Sequence, residues 1–197
     1  MAIHKSPAGV AEKKQHPENM NGYDSGCFDN CKIIRIPKRR MEALNSCKSE
    51  IEKRGKVKIE ITDAISVSGE PLNVFVASSV VTAIGRGFDY VVAAMLFEDY
   101  LLYVINIAKN QKNLVRIRSR LIGTMGKVRR KIEEMTGTRI VIFGKTASII
   151  GKDEGLENAR FAIENIIEGK SHSMVFKFLE ANDISMYPSH HKRGGSL

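Results

Sequence analysis

The 197-residue sequence predicts an α+β protein built from two tandem copies of one small unit. Three observations lead there. Runs such as KVKIEI (56–61) alternate apolar and polar residues with the period of a half-buried strand, and longer runs between them have helical spacing. Glycines stand where helices should stop, at Gly55, Gly137 and Gly169. The two halves also superpose at an offset of 81 residues, which places Ile36 on Ile117, Ile51 on Ile132, Glu52 on Glu133, Ile59 on Ile140 and Ile61 on Ile142.

Residues 1–29 are poor in large apolar side chains and read as a flexible arm, as does the tail from 181 to 197. Between them a first domain is expected over 30–107 and a second over 108–180. In the first, Cys31–Pro37 reads as a strand, and a helix follows with Met41, Leu44, Cys47 or Lys48, and Ile51 on one face. After the strand at 56–61, Thr62-Asp63 turns the chain into a shorter strand, Ala64–Val67. Pro71 opens a helix whose apolar stripe is Leu72, Phe75, Val76, Ser79, Val80, Ala83 and Ile84.

In the second domain, Asn113–Ser119 alternates and reads as a strand, with a short helical turn reaching Ile122. The loop Gly123–Gly126 then leads into a helix with Val128, Ile132 and Met135 inward. Thr138–Phe143 and Thr146–Ile150 form a hairpin around Gly144-Lys145, and a helix from Asp153 buries Leu156, Ala159, Ile163 and Ile166.

Charge narrows the function. The net charge is +9, and the window Lys109–Lys131 holds nine basic residues and no acidic one, so one stretch carries the whole excess. Such a stretch faces a polyanion, nucleic acid first and an acidic membrane surface second. No run of about 18 uncharged apolar residues offers a membrane span. Three cysteines do not suggest a disulfide framework and fit a reducing cytoplasmic setting.

Two glycines at 123 and 126 allow the backbone to press against a phosphate where side chains would forbid it. The loop opens a helix, whose free N–H groups favour an anion, and Lys127, Arg129, Arg130 and Lys131 add formal charge. Arg116, Arg118 and Arg120 either join that surface or cover one side of the sheet. Arg139 is either a nucleotide contact or a surface residue.

Strand, short helix, Ile122-Gly123-Thr124-Met125-Gly126-Lys127, helix, two strands and a long helix resemble a type I KH domain. The fold expected is therefore two tandem type I KH-like units (β-α-α-β-β-α), the first degenerate, because Glu42–Asn45 stand where the glycine loop should be. In KH domains such a loop clamps the backbone of about four nucleotides. The resemblance makes Gly123, Thr124, Met125, Gly126 and Lys127 the clamp. Ile122, Val128 and Ile140 would be the apolar strip under the bases, with Arg118, Arg120, Arg130, Lys131 and Arg139 around it.

Ala83–Phe88, Leu121–Gly151 and His172–Glu180 extend the likeness to archaeal ribosome-assembly KH proteins related to the eukaryotic "partner of Nob" proteins. That resemblance implies binding near the 3′ end of small-subunit ribosomal RNA. It also implies partnership with the endonuclease that trims that end and with the alpha subunit of translation initiation factor two. Thr124 and Met125 stand where family loops tend to be basic, and Ser119 replaces an expected glycine.

Other motifs carry less. Gly144-Lys145-Thr146 lacks the upstream glycine of a P-loop, since position 139 is Arg. Cys27, Cys31 and His16 fit no common zinc spacing, so no metal or other cofactor is expected. His172 either stacks on a base or sits exposed at a helix start. With no nucleophile–base set in the sequence, the expectation is a non-catalytic RNA-binding protein, with a protein-interaction adaptor as the alternative.

Overall fold

The computed structural model describes residues 31–107 and 113–182. The arms expected at the two ends lie outside the described residues, apart from Ala181 and Asn182. So do His16, Cys27, Lys109 and Lys112.

The first unit runs β1 (Cys31–Ile34), a 3-10 turn at Lys38–Arg40, α1 (Met41–Asn45), α2 (Lys48–Gly55), β2 (Val57–Ile61), β3 (Ile65–Gly69) and α3 (Pro71–Arg86). A short α4 (Tyr90–Ala93) and a 3-10 turn (Ala94–Phe97) lead to the second unit. That unit runs β4 (Leu101–Asn106), α5 (Leu114–Ile122), α6 (Lys127–Thr136), β5 (Arg139–Phe143), β6 (Thr146–Gly151), α7 (Asp153–Glu168) and α8 (His172–Ala181). Each unit has a three-stranded antiparallel sheet with its last strand in the middle, β1-β3-β2 and β4-β6-β5. The order β-α-α-β-β-α therefore occurs twice.

Several expectations change. The segment Asn113–Ser119 is not a strand: Leu114–Ile122 is helical, and Leu101–Asn106 is the first strand of the second sheet. Its pairing with β6, from Leu101↔Gly151 to Asn106↔Thr146, fills one edge of that strand while β5 fills the other. Hydrogen bonding thus puts residues 101–106 in the second unit, before the boundary expected at 107/108. On α3, Val80, Ala83 and Ile84 of the expected stripe are buried, but Leu72 and Phe75 are exposed, and the buried face also takes in Val74, Ala77, Ser78, Val81 and Gly85. Also, Gly55 is the last helical residue of α2, and Lys56 takes the left-handed position after it (φ 51°).

The second sheet is buried on both faces. Ile140, Ala147 and Ile149 pack with Leu121, Ile132, Leu156 and Ile163 beneath the unit's own helices. From the opposite face Ile150, Leu102 and Val141 join the core of the first unit. The first sheet turns Lys58, Glu60, Ser66 and Ser68 outward instead, which explains its cleaner alternation.

The same tie locks helix to strand in both units. Glu52 on α2 accepts the backbone N–H of Ile59 at 2.7 Å, and Glu133 on α6 accepts that of Ile140 at 2.7 Å. Each carboxylate also meets a base one turn earlier, Lys48 at 3.9 Å and Arg129 at 3.2 Å. The strand N–H points off the sheet edge, so removing the carboxylate strands a half-buried donor. We expect Glu133→Ala to lower the unfolding free energy by about 2 kcal/mol and Glu133→Gln by less, because a neutral acceptor keeps the hydrogen bond. Urea denaturation of the two variants reads the difference, and equal losses would contradict it.

Candidate nucleic-acid interface

The α5–α6 junction is built by backbone geometry. Gly123 ends α5 with φ 70° and ψ 175°, Met125 sits in the left-handed region at φ 51°, and Gly126 follows at φ 78°. Gly123 has no room for a side chain: a Cβ there would lie 2.5 Å from Val128 Cγ2 and 2.9 Å from its backbone nitrogen. At Gly126 only the backbone angle demands glycine, since the nearest atom to a Cβ is Arg130 Nε at 3.9 Å. The loop closes through the N–H of Gly126 on the carbonyl of Gly123 at 3.1 Å. No side chain caps the N-terminus of α6, so this end of the helix presents N–H groups and a positive dipole to the loop's surroundings.

Thr124, Met125 and Lys127 are exposed beside this junction, and Ile122 and Val128 are half-buried next to it. Met125 is 85% exposed at its left-handed position. Arg130 donates to the carbonyl of Met125 at 2.6 Å and so braces the strained residue from the helix side. The structure therefore brings together Ile122, Gly123, Thr124, Met125, Gly126, Lys127, Val128 and Arg130.

Other expected contacts are engaged elsewhere. Arg120 donates to the carbonyls of Ile166 (2.9 Å) and Lys170, closing the C-terminus of α7. Arg40 does the same in the first unit, on Ile84 (2.9 Å) and Phe88 (3.0 Å) at the end of α3. The two arginines are equivalent capping residues. Lys131 lies over the Phe176 ring at 4.3 Å and pairs with Glu180 at 3.4 Å, so it fastens α8 to α6.

Ile140 is 2% exposed and belongs to the core, because alternation along β5 turns it inward beneath the helices. Arg139 is exposed on the other face of β5, in a cleft of about 130 Å³ that it shares with Gly87, Asp89 and Arg129. Arg118 is half-buried on α5, and its Nε has no hydrogen-bond partner. His172 places Nε2 3.1 Å from the carbonyl of Arg120 and stacks on Phe176, which makes it a packing residue of α8. Among the described residues no group of acids, histidines and cysteines could hold a metal ion. Nor is any described helix long and apolar enough to cross a membrane.

In the first unit the corresponding junction is closed by packing. Leu44 is fully buried and Cys47 nearly so, its thiol donating to the carbonyl of Ala43 at 3.1 Å. Burial pushes that thiol above its ordinary pKa. Glu42 is exposed on α1, where an anion would be repelled.

A glycine loop that opens a bare helix N-terminus on a β-α-α-β-β-α scaffold defines a type I KH-domain protein. Residues 101–183 match the family described as eukaryotic type KH-domain (KH-domain type I), in the form of the second KH domain of PNO1. The chain is 38% identical over 163 residues to a KH domain-containing protein of Methanocaldococcus jannaschii, covering 75% of this chain and 72% of the relative. It is 29% identical over 166 residues to the pre-rRNA-processing protein PNO1 of Chaetomium thermophilum, covering 74% of this chain and 63% of that one. Among solved structures, a chain of the a/eIF2alpha–aDim2p–rRNA complex from Pyrococcus horikoshii OT3 superposes with a TM-score of 0.74 at 36% identity. That match covers 80% of this chain and 96% of the other. The chain belongs to the PNO1/Dim2p family of KH-domain proteins.

The paired caps give a sharp expectation. Arg120→Ala and Arg40→Ala should each cost about 1 kcal/mol of stability, since partly buried helix-end carbonyls lose their charged donor. Thermal unfolding of both variants measures this. A loss of RNA affinity at position 120 with no loss of stability would show that Arg120 is a ligand contact and not a cap.

Proposed function

We propose that this protein binds single-stranded RNA through the α5–α6 loop of its second unit and acts in maturation of small-subunit ribosomal RNA, near its 3′ end. The observation that supports the reading most directly is the loop itself. Gly123, with no space for a Cβ, brings the backbone up to the uncapped start of α6, and Lys127 stands beside it without an ion-pair partner among the described residues. That arrangement suits a phosphate, while half-buried Ile122 and Val128 suit the edge of a base. The relatives point the same way: one is named a pre-rRNA-processing protein, and one solved neighbour is a complex containing rRNA.

The loop works without a basic residue between its glycines. Thr124 can donate one neutral hydrogen bond to phosphate, and the charge comes from Lys127 and from Arg130 behind the loop. Met125 offers its flexible, exposed side chain to a base face. The proposed RNA residues are thus Gly123, Thr124, Met125, Gly126 and Lys127, with Ile122, Val128 and Arg130 as their support. The protein acts as a binding factor and not as a catalyst.

A second reading is an adaptor that links RNA to a protein. The closed junction of the first unit favours it, since that unit keeps the fold but not the clamp, and the solved neighbour combines aDim2p with both a/eIF2alpha and rRNA. Candidate partners are the alpha subunit of translation initiation factor two and the nuclease that trims the rRNA.

Replacing Thr124 and Met125 together by aspartate tests the first reading. Aspartate tolerates the left-handed region, so the loop keeps its shape while two negative charges face the phosphate. Binding to single-stranded RNA should fall at least about a hundredfold, and for the wild type log Kd against log salt should shift by roughly 0.7 per phosphate neutralised. Unchanged RNA affinity in the double variant would refute the clamp. Retention of a purified initiation-factor subunit by the same variant, after nuclease treatment, would support the adaptor role.

A further inference from the structure

The first unit carries a second acid-free basic segment, and its place in the fold sets it against the strand that borders the proposed clamp. Between Cys31 and Met41 the chain holds five basic residues and no acidic one. Arg40 is consumed by the cap on α3, and Lys32 lies over the Phe75 ring. Arg35, Lys38 and Arg39 remain exposed.

This segment is seated and not loose. Ile36 packs so closely on α3 that a Cβ at Gly85 would come within 2.4 Å of its Cγ2. That close approach forms a cleft of about 280 Å³ in which Arg35 and Arg86 face the same space, with Pro37 and Thr82 between them. Lys38 opens the 3-10 turn that carries Arg40 to its cap. Arg35 and Arg86 thereby share one cleft, and exposed Lys38 follows Pro37 of its lining. None has an ion-pair partner among the described residues.

The segment also abuts the second unit. The Arg39 guanidinium stacks on the ring of Phe143, the last residue of β5, at 4.1 Å. Further back along the same strand, a Cβ at Gly87 would lie 3.1 Å from Val141, so α3 ends against β5. Strand β5 is the edge strand of its sheet, tied to α6 by Glu133 and Arg129 on one side and met by the first unit on the other. Strand β5 therefore lies between the first unit's basic segment, which reaches it through Arg39, and helix α6, which the glycine loop opens.

We infer that the basic segment Arg35–Arg39, together with Arg86, is a second phosphate-binding surface for the same RNA strand, and that it extends the footprint of the second unit onto the first. The inference rests on the RNA reading of the α5–α6 loop. It assigns RNA contact to the first unit through its strand–helix connection and not through the position where its glycine loop is missing. The contacts are to the backbone, so they add length and salt dependence without reading bases.

The experiment compares single-stranded RNA probes of about five and about twelve nucleotides, since a KH clamp holds about four. The variant is Arg35→Ala, Lys38→Ala and Arg86→Ala combined; Arg39 and Arg40 are left intact because they stack on Phe143 and cap α3. The wild type should bind the longer probe more tightly. The variant should lose about tenfold or more on that probe, with the salt slope smaller by about 2, and should bind the short probe as the wild type does. Equal binding of the short probe also shows that the second unit is folded. A second variant, Arg35→Lys, Lys38→Arg and Arg86→Lys, keeps the charge and should retain most of the affinity.

Wild-type affinity of the alanine variant for the longer probe would overturn the inference and leave the clamp standing, with the segment then free for an acidic protein surface. Equal losses on both probes would also overturn it, because the effect would then reach the clamp itself. Failure of the wild type to bind either probe would remove the RNA reading and the inference with it.

Discussion

One hydrogen bond from a helix carboxylate to the edge of a sheet holds each unit in shape. In a three-stranded sheet whose middle strand comes last in sequence, the strand entering from the second helix lies at an edge. Its outward N–H groups have no ladder partner. Glu133 supplies one acceptor to Ile140, and Arg129 donates to the carbonyl of the same residue at 3.1 Å. Both edge groups of Ile140 are thereby satisfied from α6. The helix can neither rotate nor slide along β5 without losing both, so its N-terminus and the loop before it are fixed relative to the sheet. The glycine loop owes its orientation to a contact made two turns away.

That the first unit has the same tie through Glu52 and Ile59 shows what duplication kept and what it released. The C-terminal motif of the long helix is also shared. Gly87 and Gly169 both adopt left-handed conformations (φ 109° and 101°), and Arg40 and Arg120 cover the carbonyls beside them. These elements define the scaffold. The junction between the first two helices is not part of it: in one unit it is an open glycine loop, in the other a packed turn filled by Leu44 and Cys47. A binding loop can be gained or lost there because neither the sheet nor the capping network runs through it.

The repeat was legible in the sequence because its strongest matches are the residues of the tie, Glu52 with Glu133 and Ile59 with Ile140. The glycine loop was legible because two glycines are needed for backbone angles that few other residues adopt. The α5 segment was not, since LVRIRSRLI satisfies two templates. Its arginines alternate with apolar residues as in a strand, yet Leu114, Ile117 and Leu121 also share a helical face. Pairing decided between them: β4 already holds the edge of β6. The first turns of α3 depart from the expected stripe for a related reason. Small residues, Ala77, Ser78 and Gly85, join Val74, Val80, Val81 and Ile84 in the contact surface there, whereas the larger Leu72 and Phe75 are exposed. Hydrophobicity ranks side chains by size, and close helix packing selects the small ones.

The basic window looked like a binding surface, and much of it proves to be structural: Arg120, Arg129 and Arg130 all donate to backbone carbonyls. The two roles do not compete. Arg129 is also paired with the Glu133 carboxylate, but Arg120 and Arg130 donate to neutral carbonyls, which leave their charge uncancelled, so their contribution to the surface potential persists. Rigid cations are also better placed than mobile ones to meet a phosphate, because less side-chain freedom remains to be lost on binding. Using arginines to cap helices around the loop therefore builds the electrostatic field and the scaffold from the same residues. Lys127, unpaired at the loop itself, is then the flexible element at the point of contact, and the field around it is set by side chains that the fold already holds in place.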